Sequence, residues 1–147
     1  MNIVKGDIWD FEGKGYLIIP TNGIVKQNGE AVMGAGLAKQ AAKRYPNLPR
    51  QLGTHLKIGN GIYFFPEYQV VTFPTKNHWK DKSDINLIMR SATELAKAIT
   101  TFRYQQREFQ FYVPQVGCGL GGLNWADVYR AIGPILTDPM IIFVVKE

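Results

Sequence analysis

Two glycine-rich loops constrain this chain more than any other feature, because each stands between an apolar run and a stretch of helical character. The first reads Gly29-Glu30-Ala31-Val32-Met33-Gly34-Ala35-Gly36-Leu37-Ala38 and the second Gly117-Cys118-Gly119-Leu120-Gly121-Gly122. The order strand, glycine loop, helix therefore occurs twice. In open α/β sheets, ligands bind beyond the carboxyl ends of the strands, so both loops are expected at that edge. Glycines let the main chain approach a ligand closely, and the free N–H groups of a helix start favour a diphosphate. Taken alone, the first loop is equally a tight turn before a helix.

The remaining text agrees with an α/β fold. Ile3 and Val4 suit an edge strand, and Tyr16-Leu17-Ile18-Ile19 is a continuous apolar run of the kind a doubly buried strand requires. Residues 38–45, rich in Ala, Lys and Arg, predict a helix that Pro46 ends. Ile62-Tyr63-Phe64-Phe65 and Val70-Val71-Thr72-Phe73 read as two strands joined by the turn Pro66-Glu67-Tyr68-Gln69. In residues 84–101, Ile85, Ile88, Ala92, Leu95, Ala96 and Ile99 recur at three- and four-residue steps, with Ser83 as the expected N-cap. Phe109-Gln110-Phe111-Tyr112-Val113 alternates as a strand. Asn124 is placed to cap a helix through Pro134, with Asp127 three residues on for a reciprocal bond. Residues 140–145 close as a buried strand. The expectation is one α/β domain over residues 1–147 with a mixed, largely parallel sheet.

Composition narrows the function classes. At 147 residues, with 46% hydrophobic side chains, the chain suits one folded domain and excludes disorder as its main state. Seventeen basic against 12 acidic residues give a net charge of +5, which favours an anionic partner such as nucleic acid or a nucleotide phosphate. The longest apolar runs fall well short of the roughly 20 residues of a membrane span. The N-terminus shows no basic segment followed by an apolar one, so an intracellular, cytoplasmic protein is expected. The lone Cys118 makes no intramolecular bridge, in keeping with a reducing compartment.

Several side chains carry candidate chemistry, each with a plainer alternative. Asp7, in Lys5-Gly6-Asp7-Ile8, either accepts from an adenine amino group or stabilises a turn. Asn22, after Pro20-Thr21, either holds a ribose hydroxyl or stabilises a turn. The segment Pro74-Thr75-Lys76-Asn77-His78-Trp79-Lys80-Asp81-Lys82 follows a strand and precedes the long helix. Lys76 is a candidate nucleophile or acid and Trp79 a stacking platform, or the segment is a solvated basic loop. Gly117, Gly119 and Gly122 formally satisfy the dinucleotide fingerprint, but too little chain follows for a nicotinamide half and Asp138 lies too close. Cys118 has no neighbouring His, since the only two are His55 and His78. No metal-ligand spacing is present, so neither metal nor cofactor is expected.

Taken together, Gly6-Asp7-Ile8, Thr21-Asn22, Val32-Met33-Gly34-Ala35-Gly36-Leu37-Ala38 and Pro114-Gln115-Val116-Gly117-Cys118-Gly119-Leu120-Gly121-Gly122-Leu123-Asn124-Trp125 resemble a macro domain. The resemblance implies a three-layer α/β/α fold that binds ADP-ribose. It assigns adenine to Asp7 and Ile8, the distal ribose to Asn22, and the diphosphate and distal ribose to the two glycine loops. Lys76-Asn77-His78-Trp79 is similar to the Lys-x-His-Trp segment of antitoxin macro domains that remove ADP-ribose from thymidine in DNA. Those are related to the terminal ADP-ribose protein glycohydrolases, whose catalytic Lys corresponds to Lys76. That group has an Asp after Cys-Gly-Leu where this chain has Gly121, and Gly-Gly at that place is the antitoxin pattern.

The implied activity is an ADP-ribosyl glycohydrolase acting on nucleic acid, with His78 and Trp79 as further substrate contacts and the protein a monomer away from membranes. The alternatives are an ADP-ribose 1″-phosphate phosphatase and a non-catalytic ADP-ribose reader.

Overall fold

A computed structural model describes residues 2–146 of the chain. Among these residues six strands form one sheet: β1 (Asn2–Lys5), β2 (Tyr16–Thr21), β3 (Tyr63–Phe65), β4 (Val70–Pro74), β5 (Phe111–Val113) and β6 (Ile141–Val145). Their order is β1-β6-β5-β2-β4-β3, with every neighbouring pair parallel except β3 and β4. The helices are α1 (Gly36–Arg44), α2 (Leu48–Leu56), α3 (Ile85–Tyr104) and α4 (Trp125–Ile132).

Strand alternation sorts the apolar side chains into two cores. Tyr16, Ile18, Val71, Phe73, Phe111, Val113, Ile141 and Phe143 meet α3 and α4 on one face. Leu17, Ile19, Val70, Tyr112 and Val144 meet α1 and α2 on the other. Three layers result, as the resemblance to a macro domain implies. The central strands read as unbroken apolar runs because both of their faces are covered.

Some boundaries differ from the sequence reading. Asp84, and not Ser83, caps α3: its carboxylate accepts from the N–H groups of Asn86 and Leu87. Ser83 is turned inward against the second glycine loop. Asn124 does cap α4, accepting from the Ala126 N–H at 2.8 Å, but Asp127 pairs with Arg130 one turn on and α4 closes at Ile132. β5 is shorter than expected, and Phe109 packs edge-on against the Tyr16 ring at 5.3 Å. Helix α2 was not expected at all.

Topology then places the site. After β2 the chain passes to the α1–α2 face, and after β5 to the α4 face. β2 and β5 pair only through Tyr16–Phe111 and Leu17–Tyr112, while β2 runs on to Thr21 beside β4. The parallel strands therefore part at their carboxyl ends where the connections change face, the usual position of a ligand crevice in open α/β sheets. Among the described residues, no helix is long and apolar enough to cross a membrane.

Candidate functional site

The crevice is a cleft of about 1180 Å³. That slightly exceeds the roughly 300–1,000 Å³ of common small-molecule pockets and suits an extended ligand. Both glycine loops line it, as do Asp7 and Ile8 at one end and Lys76 and Trp79 at the other.

Along the first loop, Val32, Gly34, Ala35, Gly36 and Leu37 face the cleft. Met33 is not among the lining residues: its side chain is buried in the α1–α2 core, so any contact with a ligand would be through its main chain. Ala35 occupies the N-cap of α1 and brings no side-chain acceptor, so the first-turn N–H groups remain open toward the cleft. Asn22 ties this loop to the end of β2. Its Nδ2 donates to the Val32 carbonyl at 3.1 Å and its Oδ1 accepts from the Ile24 N–H at 3.0 Å. The turn-stabilising alternative for Asn22 is thus present, at a position that also lines the cleft.

In the second loop, Gly117, Cys118, Gly119, Leu120 and Gly121 line the cleft, and Gly122 closes the turn behind them in a left-handed conformation. The N–H groups of Gly117 and Gly119 have no acceptor among the described residues and are available to a ligand anion. An added Cβ at Gly121 would stand 2.3 Å from Ser83 Oγ, so a side chain there would have to displace the Ser83 hydroxyl. Ser83 lines the cleft at that point and has no hydroxyl partner among the described residues, a placement hidden from sequence reading by its apparent capping role. Burial raises the pKa of the Cys118 thiol, which keeps it protonated near neutral pH and poorly nucleophilic. Native protein should therefore react with iodoacetamide at pH 7.5 more slowly than the denatured chain, as followed by mass; an equal rate would contradict the burial of the thiol.

Asp7 caps a short 3-10 turn, Ile8–Phe11: its carboxylate accepts from the Trp9 N–H, and the Asp7 N–H donates to the Asp10 carboxylate. Asp7 is exposed, so its second oxygen is accessible from the cleft, and Ile8 is buried beneath. Gln40 on α1 also lines this end, held by the indole N–H of Trp9 at 2.6 Å.

At the opposite end, Lys76 is half-buried and its Nζ donates to the Asp81 carbonyl at 3.2 Å. No carboxylate forms an ion pair with it among the described residues. His78 does not line the cleft: it stacks on Trp79 and its Nδ1 accepts from the Lys80 N–H. The Lys80 ammonium lies 5.1 Å from the centre of the Trp79 ring, which is itself half-exposed at the cleft mouth. Among the described residues, no cluster of His, Cys, Asp and Glu has the makings of a metal site.

No family model matches the chain. It is 30% identical over 112 residues to the DNA ADP-ribosyl glycohydrolase of Mycobacterium tuberculosis, a match covering 69% of this chain and 30% of that protein. The chain thus spans under a third of the length of the curated relatives it matches first. Among solved structures it is similar to the macrodomain of Mycobacterium tuberculosis DarG, with a TM-score of 0.77, 25% identity, and 99% and 95% of the two chains covered. It is also similar to Thermosipho africanus DarTG in complex with ADP-ribose, with a TM-score of 0.78, 23% identity, and 99% and 42% covered.

Proposed function

We propose that this chain, which has the macrodomain fold, binds ADP-ribose in the cleft and releases it from nucleic acid, with thymidine the modified base and Lys76 the reacting group. The observation that carries this reading is one cleft with carboxylates at one end, two main-chain amide loops along its length and a lysine at the other. Those parts match adenine, diphosphate and distal ribose in order. Likeness to proteins named DNA ADP-ribosyl glycohydrolase supports the choice of linkage.

The amides of both loops hold the diphosphate, and this remote binding energy fixes the distal ribose against Lys76. The bond to break joins the anomeric carbon to the base. An amine attacks through its lone pair, so a deprotonated Nζ forms a bond to that carbon while the base departs with the bonding electrons and takes up a proton. Water then releases ADP-ribose and restores the amine.

Trp79, with Lys80 and Lys82 beside it, offers a stacking face and cations to the strand that carries the modified base. Trp79→Ala is expected to raise KM for a modified oligonucleotide about tenfold and to change the affinity for free ADP-ribose far less, as base stacking on an aromatic ring implies.

Incubation with ADP-ribosylated thymidine DNA, ADP-ribosyl protein and ADP-ribose 1″-phosphate in parallel, with products identified by mass, tests the reading. Release from the DNA supports it. Phosphate release alone selects the phosphatase, and binding without turnover selects the reader.

A further inference from the structure

A side-chain amide behind the cleft braces the lysine segment. Asn60, between α2 and β3, donates from Nδ2 to the main-chain carbonyl of Lys76 at 3.2 Å and to Oδ1 of Asn77 at 3.0 Å. Two acceptors converging on one nitrogen fix the orientation of the amide. That orientation leaves Asn60 Oδ1 buried with no partner among the described residues, an arrangement folded proteins rarely keep.

Asn60 is itself held from two sides. Its carbonyl accepts from the Arg90 guanidinium on α3. Its side chain packs on Gly23 so closely that a Cβ there would stand 2.8 Å from Cγ and Nδ2. The Gly23 N–H in turn donates to the Asn77 carbonyl at 2.9 Å. The loops after β2, after β4 and before β3 therefore meet at one amide, directly behind the main chain of Lys76.

We infer that Asn60 is a positioning residue for Lys76: it pins the peptide that carries the lysine, so that Nζ is presented to the distal end of the cleft. The inference rests on the lysine-dependent reading above. It differs from a general structural role in what it leaves alone, because Asn60 makes no hydrogen bond to residues 34–38 or 117–122, the amide stretches that line the cleft.

The test is release of ADP-ribose from a modified thymidine oligonucleotide, with calorimetry of free ADP-ribose and the thermal midpoint measured alongside. Asn60→Asp places a carboxylate against both acceptors and removes the donor. It should lower kcat about tenfold or more, with KM and ADP-ribose affinity within about threefold, the pattern of a misplaced reacting group. Arg90→Met, on the exposed side of α3, frees the Asn60 carbonyl without disturbing the core, and serves if Asn60→Asp does not fold. It should lower kcat about threefold or more at unchanged KM.

Wild-type kcat in both variants, or losses in affinity and thermal midpoint that match the loss in rate, would overturn the inference. Lys76→Ala run beside them separates the two levels. If it is inactive while Asn60→Asp turns over normally, only the positioning role falls. If Lys76→Ala itself turns over normally, the lysine mechanism falls and takes the positioning role with it.

Discussion

Lys76→Ala is expected to bind ADP-ribose within about tenfold of the wild-type affinity and to release it from modified DNA at a rate lower by about 100-fold or more. The two halves of the result come from different parts of the cleft. On the proposed reading, affinity comes from the first-turn amides of α1 and from the N–H groups of Gly117 and Gly119, which the substitution leaves in place. On the same reading, turnover depends on Lys76, whose amine is half-buried, free of any ion pair among the described residues, and tethered only by a main-chain carbonyl. Such an amine can leave its tether for the anomeric carbon without breaking a salt bridge. Lys76→Arg separates nucleophile from cation. A guanidinium keeps the charge but has no usable lone pair, so the arginine variant should be as slow as the alanine one. Recovery of rate by arginine would mean that charge alone suffices.

Gly117→Val should cost about 2–5 kcal/mol of stability and remove ADP-ribose binding, a sum of backbone strain and overpacking. Gly117 has φ +78°, a region that costs any residue with a Cβ. Its added Cβ would also stand 2.6 Å from Ile88 Cδ1 and 3.2 Å from Leu123 Cδ1. Ile88 is fully buried in α3, so the loop must move rather than the core. Gly119 provides the internal comparison. It too has a positive φ, +66°, but nothing lies within 4 Å of a Cβ there. Gly119→Ala should therefore lose only the backbone contribution, about 1–2 kcal/mol. Urea unfolding of the two variants checks the difference, and equal losses would show that contact with Ile88 is not what confines the loop to glycine.

The parts of the fold that were legible in the sequence are those where one physical cause dominates. β2 and β4 show as apolar runs because both faces are covered, and α3 shows its period because it lays one stripe on the sheet for 20 residues. α2 escaped because its stripe is only Leu48, Leu52 and Leu56, with Pro49 in its first turn. Ser83 and Asp84 are both good caps, and only the direction of the incoming chain decides between them. The cleft was legible through its glycines, whose absent side chains are a local fact. The inward packing of the Met33 side chain inside that same motif was not legible, because neighbours along the loop point to different sides. His78 sits one residue from Trp79 yet is not among the residues that line the cleft, its ring stacking on Trp79 instead. Asn60 was invisible, since its role arises only when loops 16 or more residues apart in the chain are folded onto it.

Calorimetric titration of the chain with free ADP-ribose reaches the root of this account most directly. The expected result is saturable one-to-one binding that Gly117→Val abolishes and Lys76→Ala retains. Absence of saturable heat, or binding that survives intact in Gly117→Val, would contradict the assignment of the cleft to that ligand.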